Sequence, residues 1–294
     1  MTARVSILHQ AILRRHVVLG AVELAYLEIG PPAAPTMLLL HGIPTGAELW
    51  RETMVPLGLA GYRVCAPDLP GYGQTRVPAT GDHSLAGAAD LLARWMETAQ
   101  LGPSWVVGHD LGGAVAQILA VRRPRLVQRL TLTNTVVGDS WPVRPVKLLR
   151  LLARLRLYVP LAALGLFPNP YATWELRRAF TDPQRLRFTA AQRVFWDGKI
   201  KTHEGRQAFS RHLRALDPVQ TEAIVGQLGQ IAAPVQIVWG RQDPFQPWAR
   251  IGRRLVGLLP NPAVQLLNEA GHFTPLEQPE ALAAALLAWV ADHD

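Results

Sequence analysis

Val106-Val107-Gly108-His109-Asp110-Leu111-Gly112-Gly113 decides the reading of this chain. A short apolar run, Ser104–Val107, precedes it with the pattern of a buried strand, and Leu111–Arg122 follows with the pattern of a helix. Between them, Gly-x-Asp-x-Gly puts Asp110 at the tip of a sharp strand-to-helix turn. Such a tip needs a strained backbone, and Gly108 and Gly112 let strand and helix approach closely. The helix N-terminus behind it favours a carboxylate through its free N–H groups and its dipole. Taken alone, the frame also fits a plain helix cap, and the rest of the chain separates the two readings.

The residue type at the tip sets the chemistry. A carboxylate attacking an ester carbonyl would give a labile anhydride. Attacking saturated carbon, it gives an aspartyl ester that water can hydrolyse. Asp110 therefore points away from ester hydrolysis and toward cleavage of a carbon–halogen or epoxide carbon–oxygen bond.

Outward from the elbow, short apolar runs alternate with helical segments. Val17–Ile29, Thr36–Leu40, Tyr62–Ala66 and Leu130–Asn134 read as strand material, and Ser84–Gln100 reads as a helix. From Asp139 to Gly229 the alternation stops: helical stretches are broken by Pro160, Pro168, Pro170 and Pro183. It resumes with Val235–Trp239, Trp248–Leu259, Val264–Leu267 and Leu276–Ala291. The expected fold is α/β, a mostly parallel, doubly wound sheet with an inserted helical cap. The expected division is core 1–138, cap 139–229, core 230–294.

Composition bounds the rest. The 294 residues are 49% hydrophobic, ample for a buried core, and the single cysteine, Cys65, excludes an internal disulfide framework. No uncharged apolar stretch reaches the ~18 residues of a membrane span. Met1–Gln10 lacks the basic-then-apolar pattern of a signal peptide, so a cytoplasmic location is expected. The formal net charge is +8. It concentrates between Trp141 and Leu216, with roughly fifteen basic against about four acidic side chains. There Lys147, Arg150 and Arg154 interleave with Leu148, Leu149, Leu151, Leu152 and Leu155. An amphipathic helix face explains this more simply than nucleic-acid binding, which is not expected.

Further motifs fall at strand ends, where open parallel sheets bind ligands. His41-Gly42-Ile43-Pro44 follows Leu38–Leu40, and the backbone N–H groups of Ile43 and Leu111 can form an oxyanion hole. Trp239-Gly240-Arg241-Gln242-Asp243-Pro244 supplies Asp243, and Glu269-Ala270-Gly271-His272-Phe273 supplies His272. The chain order nucleophile, acid, histidine is that of a hydrolase triad, Asp110–Asp243–His272. His41 and His109 flank this group as architectural hydrogen-bonders. Asn134 marks another strand end, but it is not a carboxylate. The histidines and carboxylates stand in triad order and not at metal-ligand spacing, so neither a metal nor an organic cofactor is expected.

With these motifs and Asp68-Leu69-Pro70-Gly71-Tyr72-Gly73, the chain resembles the α/β-hydrolase fold superfamily along nearly its whole length. More narrowly it is similar to the Asp-nucleophile branch of haloalkane dehalogenases, fluoroacetate dehalogenases and epoxide hydrolases. The resemblance implies alkylation of Asp110, then hydrolysis by water activated by His272, and a cis bond before Pro44. Within that branch, haloalkane dehalogenases hold halide with Trp after the nucleophile and often Asn after His-Gly. Here Leu111 and Ile43 stand there, although Pro44-Thr45 and Leu49-Trp50-Arg51 still look like that family. Fluoroacetate dehalogenases use Arg where Leu111 and Ala114 stand. Epoxide hydrolases use two cap tyrosines as donors to the ring oxygen. Tyr158 falls near the first position and His212 near the second; Tyr171 is a further cap tyrosine, and Trp141, Trp174 and Trp196 offer pocket walls or halide donors. Epoxide opening on a small apolar substrate, by a monomer or homodimer, is thus expected. Dehalogenation is the alternative, and a non-catalytic or acyl-hydrolase member of the fold stands behind both.

Overall fold

A computed structural model describes residues 12–166, 170–182, 194–195 and 201–291. Its centre is an eight-stranded sheet ordered β1-β2-β4-β3-β5-β6-β7-β8. The strands are β1 Leu13–Leu19, β2 Val22–Ile29, β3 Thr36–Leu40, β4 Arg63–Pro67, β5 Ser104–His109, β6 Val127–Thr133, β7 Val235–Gly240 and β8 Ala263–Leu267. The β1/β2 and β2/β4 pairs are antiparallel and the other pairs are parallel. β3 and β5 are buried at every position, as expected of parallel strands covered on both faces.

Topology places the site. From β3 the chain runs to β4 on one side, then crosses back so that β5 pairs with β3 on the other. The carboxyl ends of β3 and β5 therefore flank a switch point, where helices leave opposite faces and open a crevice. His41–Pro44 and Asp110 leave the sheet there.

The helices are α1 Arg51–Leu59, α2 Leu85–Thr98, α3 Leu111–Arg122, α4 Arg144–Arg154, α5 Tyr158–Ala163, α6 Pro170–Arg178, α7 His203–Ala215, α8 Val219–Glu222, α9 Arg253–Leu258, α10 Thr274–Glu277 and α11 Pro279–Ala291. Ser84 caps α2, its hydroxyl accepting from the Gly87 N–H. Ten of the twelve residues of α3 are buried, which suits an uncharged run such as Leu111–Val121. The single helix read over Leu276–Ala291 is two, because α10 ends at Glu277 and Gln278, held before Pro279, leaves the helical conformation. Between β6 and β7 the described residues form helices and turns and no strand. Their apolar residues Trp141, Leu149, Phe209 and Leu213 join the cluster that contains Leu38, Leu40 and Val106 of the sheet. Among the described residues no helix is long and apolar enough to cross a membrane.

Candidate active site

Asp110 has φ 53 and ψ −122, a conformation that costs a non-glycine residue about 1–3 kcal/mol. Its surroundings hold it there. A Cβ at Gly112 would collide with the carbonyl oxygens of Leu40 and His41, and one at Gly108 with the Gly113 backbone. One at Gly42 would strike the Asp110 carboxylate itself. The Thr135 hydroxyl donates to the Asp110 carbonyl at 2.8 Å.

The carboxylate is buried and addressed from two sides. Oδ1 accepts from the Ile43 N–H at 2.8 Å, and the Leu111 N–H also donates to the carboxylate. Oδ2 lies 3.7 Å from His272 Nε2, too long for a direct hydrogen bond but close for an ion pair. Burial pushes the Asp110 carboxyl up, and His272 and the two N–H groups pull it only partly back.

His272 Nδ1 stands 2.8 Å from Asp243 Oδ2. A carboxylate can only accept, so Nδ1 carries the proton and Nε2 is the free base facing Asp110. Burial opposes a charge on this ring, but Asp243 outweighs it, with help from Asp110, and the imidazole is raised above its ordinary value. Asp243 is buried too, which alone would raise it; His272 and its hydrogen-bond donors hold it below the usual range. Those donors are the N–H groups of Phe245 and Gln246 at 2.7 and 2.9 Å on Oδ1, and Asn134 Nδ2 at 2.8 Å on Oδ2. Asn134, with φ 42, also accepts from the Gly240 N–H and the Thr274 hydroxyl. The sequence marked Asn134 only as a strand end; its contact with Asp243 is a tertiary fact.

The flanking histidines serve the framework. His41 Nε2 accepts from the Leu69 N–H at 3.0 Å, so Nδ1 donates to the Gly42 carbonyl. His109 Nε2 donates to the His272 carbonyl at 2.8 Å, and burial drops its pKa to about 3. The Ile43–Pro44 bond is cis. Asp68 ties its own turn together, accepting from the N–H groups of Ala47 and Gln74 and from Arg14.

The expected donors part company here. Tyr158 is buried, its ring against Phe209. His212 is also buried, with its pKa lowered by burial to about 4, and Nδ1 donates to the His83 carbonyl at 2.8 Å. With Nδ1 donating, Nε2 of the neutral ring is an acceptor, whereas the donor reading needs a proton there. Tyr72 takes a place that sequence reasoning missed, although it stood in a quoted motif. Burial first, then the Asp110 carboxylate and the Tyr158 phenol, hold its hydroxyl protonated well above the ordinary tyrosine range. Trp141 donates to the Thr221 hydroxyl at 2.8 Å, and Trp174 is half exposed with the Arg178 guanidinium over its ring. Trp196 and the Tyr171 side chain lie outside the described residues.

Sequence reasoning also missed Glu277, whose spacing from His272 carries no motif. Its buried carboxylate accepts from the Gly271 N–H at 2.9 Å on Oε1 and from the Thr181 N–H and hydroxyl at 2.7 and 2.8 Å on Oε2. The His272 N–H donates to the Ala179 carbonyl at 2.8 Å. Thus residues 179–181, which follow α6, are clipped to the loop that carries the histidine. Phe180 packs on Phe273 beside this clip.

An elbow carboxylate, two oxyanion-type N–H donors and an Asp-oriented histidine on such a sheet define a hydrolase-type site. The chain belongs to the α/β hydrolase fold family, whose sequence profile it matches over residues 35–279. It is 27% identical over 289 residues to the magnesium-chelatase 30 kDa subunit of Rhodobacter capsulatus, covering 95% of this chain and 94% of that one. It is 28% identical over 262 residues to a 2-hydroxy-6-oxononadienedioate/2-hydroxy-6-oxononatrienedioate hydrolase of Cupriavidus pinatubonensis, covering 84% of each. Haloalkane dehalogenase DbeA of Bradyrhizobium elkani USDA94 shares the fold, with TM-score 0.77 at 24% identity over 96% of this chain and 98% of that one.

Proposed function

We propose that this hydrolase works through a covalent aspartyl ester on Asp110 and opens epoxides to diols, with residues 139–229 as the cap over the site. The observation that carries the reading is the Asp110 carboxylate at the elbow tip, facing the free Nε2 of an Asp243-oriented His272. With Oδ1 held by the Ile43 N–H, Oδ2 is the attacking oxygen. It forms a bond to an epoxide carbon as the carbon–oxygen bond breaks, and the ring oxygen takes a proton from a tyrosine. We assign that donation to Tyr158 and Tyr72 and not to His212, because buried phenols keep their protons. In the second step His272 removes a proton from water, which attacks the Asp110 carboxyl carbon. The oxyanion is held by Ile43 and Leu111; as the ester bond breaks, the departing oxygen takes the proton from His272 and the diol leaves, and the regenerated Asp110 carboxyl returns a proton to the tyrosinate.

Dehalogenation is the second reading, through the same ester. The side chains of Leu111 and Ile43 offer a departing halide no hydrogen bond, which favours the epoxide. Intact-protein mass spectrometry of a His272→Gln variant tests both. Without its base the ester accumulates: a gain of the whole reagent mass, mapped to Asp110, is expected from an epoxide. A gain of the alkyl mass alone from a haloalkane would shift the assignment to dehalogenation. No adduct on a folded variant would sink the aspartyl-ester mechanism.

A further inference from the structure

The cap carries a surface that this chemistry does not use. Helix α4 buries Val146, Leu149 and Ala153 against the rest of the protein. At 3.6 residues per turn, Leu148, Leu151 and Leu155 fall on the opposite side. They are 41 to 57% exposed, and Leu157, Leu164 and Leu166, which follow in the chain, are 45 to 73% exposed. Large apolar side chains grouped on one outer face of a monomer mark an interaction site. The charge around them has one sign. Arg144 lies on the leucine stripe, Lys147 and Arg154 flank it, and Arg156 follows in the turn, all exposed. Arg150 instead turns inward to the Leu216 carbonyl. From position 140 to 174 the sequence contains no Asp or Glu.

We propose that the outer face of residues 144–166 docks on an anionic lipid surface. Exposed leucines flanked by long cationic side chains suit the boundary between lipid headgroups and acyl chains, where the stems lie along apolar surface and the charges meet lipid phosphates. A second copy of this chain fits poorly, because a two-fold contact would set Lys147 and Arg154 against like charges. Nucleic acid would engage the cations but leave the leucines in water. The docked cap would sit on the lipid by the flank of α5, the short helix that begins with Tyr158.

Flotation of the full-length protein with phosphatidylglycerol vesicles and with phosphatidylcholine vesicles tests this. We expect binding to the first, weakened by salt, and little to the second. Leu148→Ser, Leu151→Ser and Leu155→Ser together should cut vesicle binding by at least about tenfold, and so should Arg144→Glu, Lys147→Glu and Arg154→Glu together. Both variants should keep the wild-type melting temperature and gel-filtration volume. A wild-type chain that fails to float with phosphatidylglycerol overturns the proposal. If it also elutes as a dimer that the leucine variant dissociates, the face belongs to a second copy. Binding that survives loss of the leucines overturns the proposal as well, since charge alone would then account for it.

Discussion

In the proposed mechanism Asp110 and His272 are two buried groups that must both have lost their titrating proton to work: the carboxylate ionised, the imidazole neutral. Against the cost of burial, Asp243 and then Asp110 favour the charged imidazolium and raise His272 above its ordinary value. A raised imidazole keeps its proton to higher pH, so the inactive form of the base persists further up the scale. The rate of ester hydrolysis in single-turnover experiments should therefore rise with pH. Esterification neutralises Asp110 and removes one of the influences that raise His272, so the midpoint in the ester should lie below that of the free enzyme. Direct titration of the free enzyme by NMR gives the comparison. Asp243→Asn should move the midpoint down further and slow hydrolysis by about 10⁴-fold, because the amide no longer enforces the Nδ1–H tautomer. In the proposed mechanism the tyrosine donors act in the other half-reaction. Tyr158→Phe and Tyr72→Phe should each slow alkylation by an epoxide by about 10²–10³-fold and leave ester hydrolysis near wild type, as rapid-quench mass spectrometry would record. A His212→Phe variant that lost alkylation to the same degree would return the donor role to that ring.

At the scale of elements, the elbow is a packing solution before it is a chemical one. Strand β5 and helix α3 meet where Gly108 and Gly113 backbones touch, and α3 starts against the carbonyls at the end of β3. Gly112→Ala should destabilise the fold by about 1–3 kcal/mol or prevent it from forming, read by urea unfolding. The loop after β8 depends on a second device. Glu277 accepts from the histidine loop with one oxygen and from Thr181 with the other. A glutamine has one acceptor and cannot satisfy both N–H groups. Glu277→Gln should cost about 1–3 kcal/mol and slow ester hydrolysis more than alkylation, because His272 moves and Asp110 does not. Equal loss in both half-reactions would assign Glu277 to global stability alone.

The whole molecule shares one apolar cluster between its sheet and the helices that follow β6. Trp141, Tyr158, Phe209 and Leu213 pack in the same cluster as Leu38, Leu40, Val106 and Leu130. The helices between β6 and β7 therefore stand or fall with the sheet. Heat unfolding should give a single cooperative transition, with calorimetric and van't Hoff enthalpies equal and near- and far-UV signals coincident. Two transitions would mean that 139–229 folds as a separate unit.

The order of the strands, the elbow and the strand-end positions of Asp243 and His272 were legible in the sequence, whereas the helix Arg51–Leu59 and the break at Gln278 were not. Each rests on local chemistry: β-branched and apolar runs bounded by Gly and Pro, or a turn that only small neighbours permit. The tertiary structure decided which partner each histidine nitrogen faces: Asp243 for Nδ1 of His272, the His83 carbonyl for Nδ1 of His212. It brought Tyr72 under the influence of Asp110, set Asn134 behind Asp243 and tied Thr181 to the histidine loop through Glu277. These relations join residues far apart in the chain, such as Ile43 to Asp110 and His83 to His212, separated by 67 and 129 positions. No periodicity encodes such a pairing. It follows from which strand lies beside which, and that is settled only when the whole sheet closes its core.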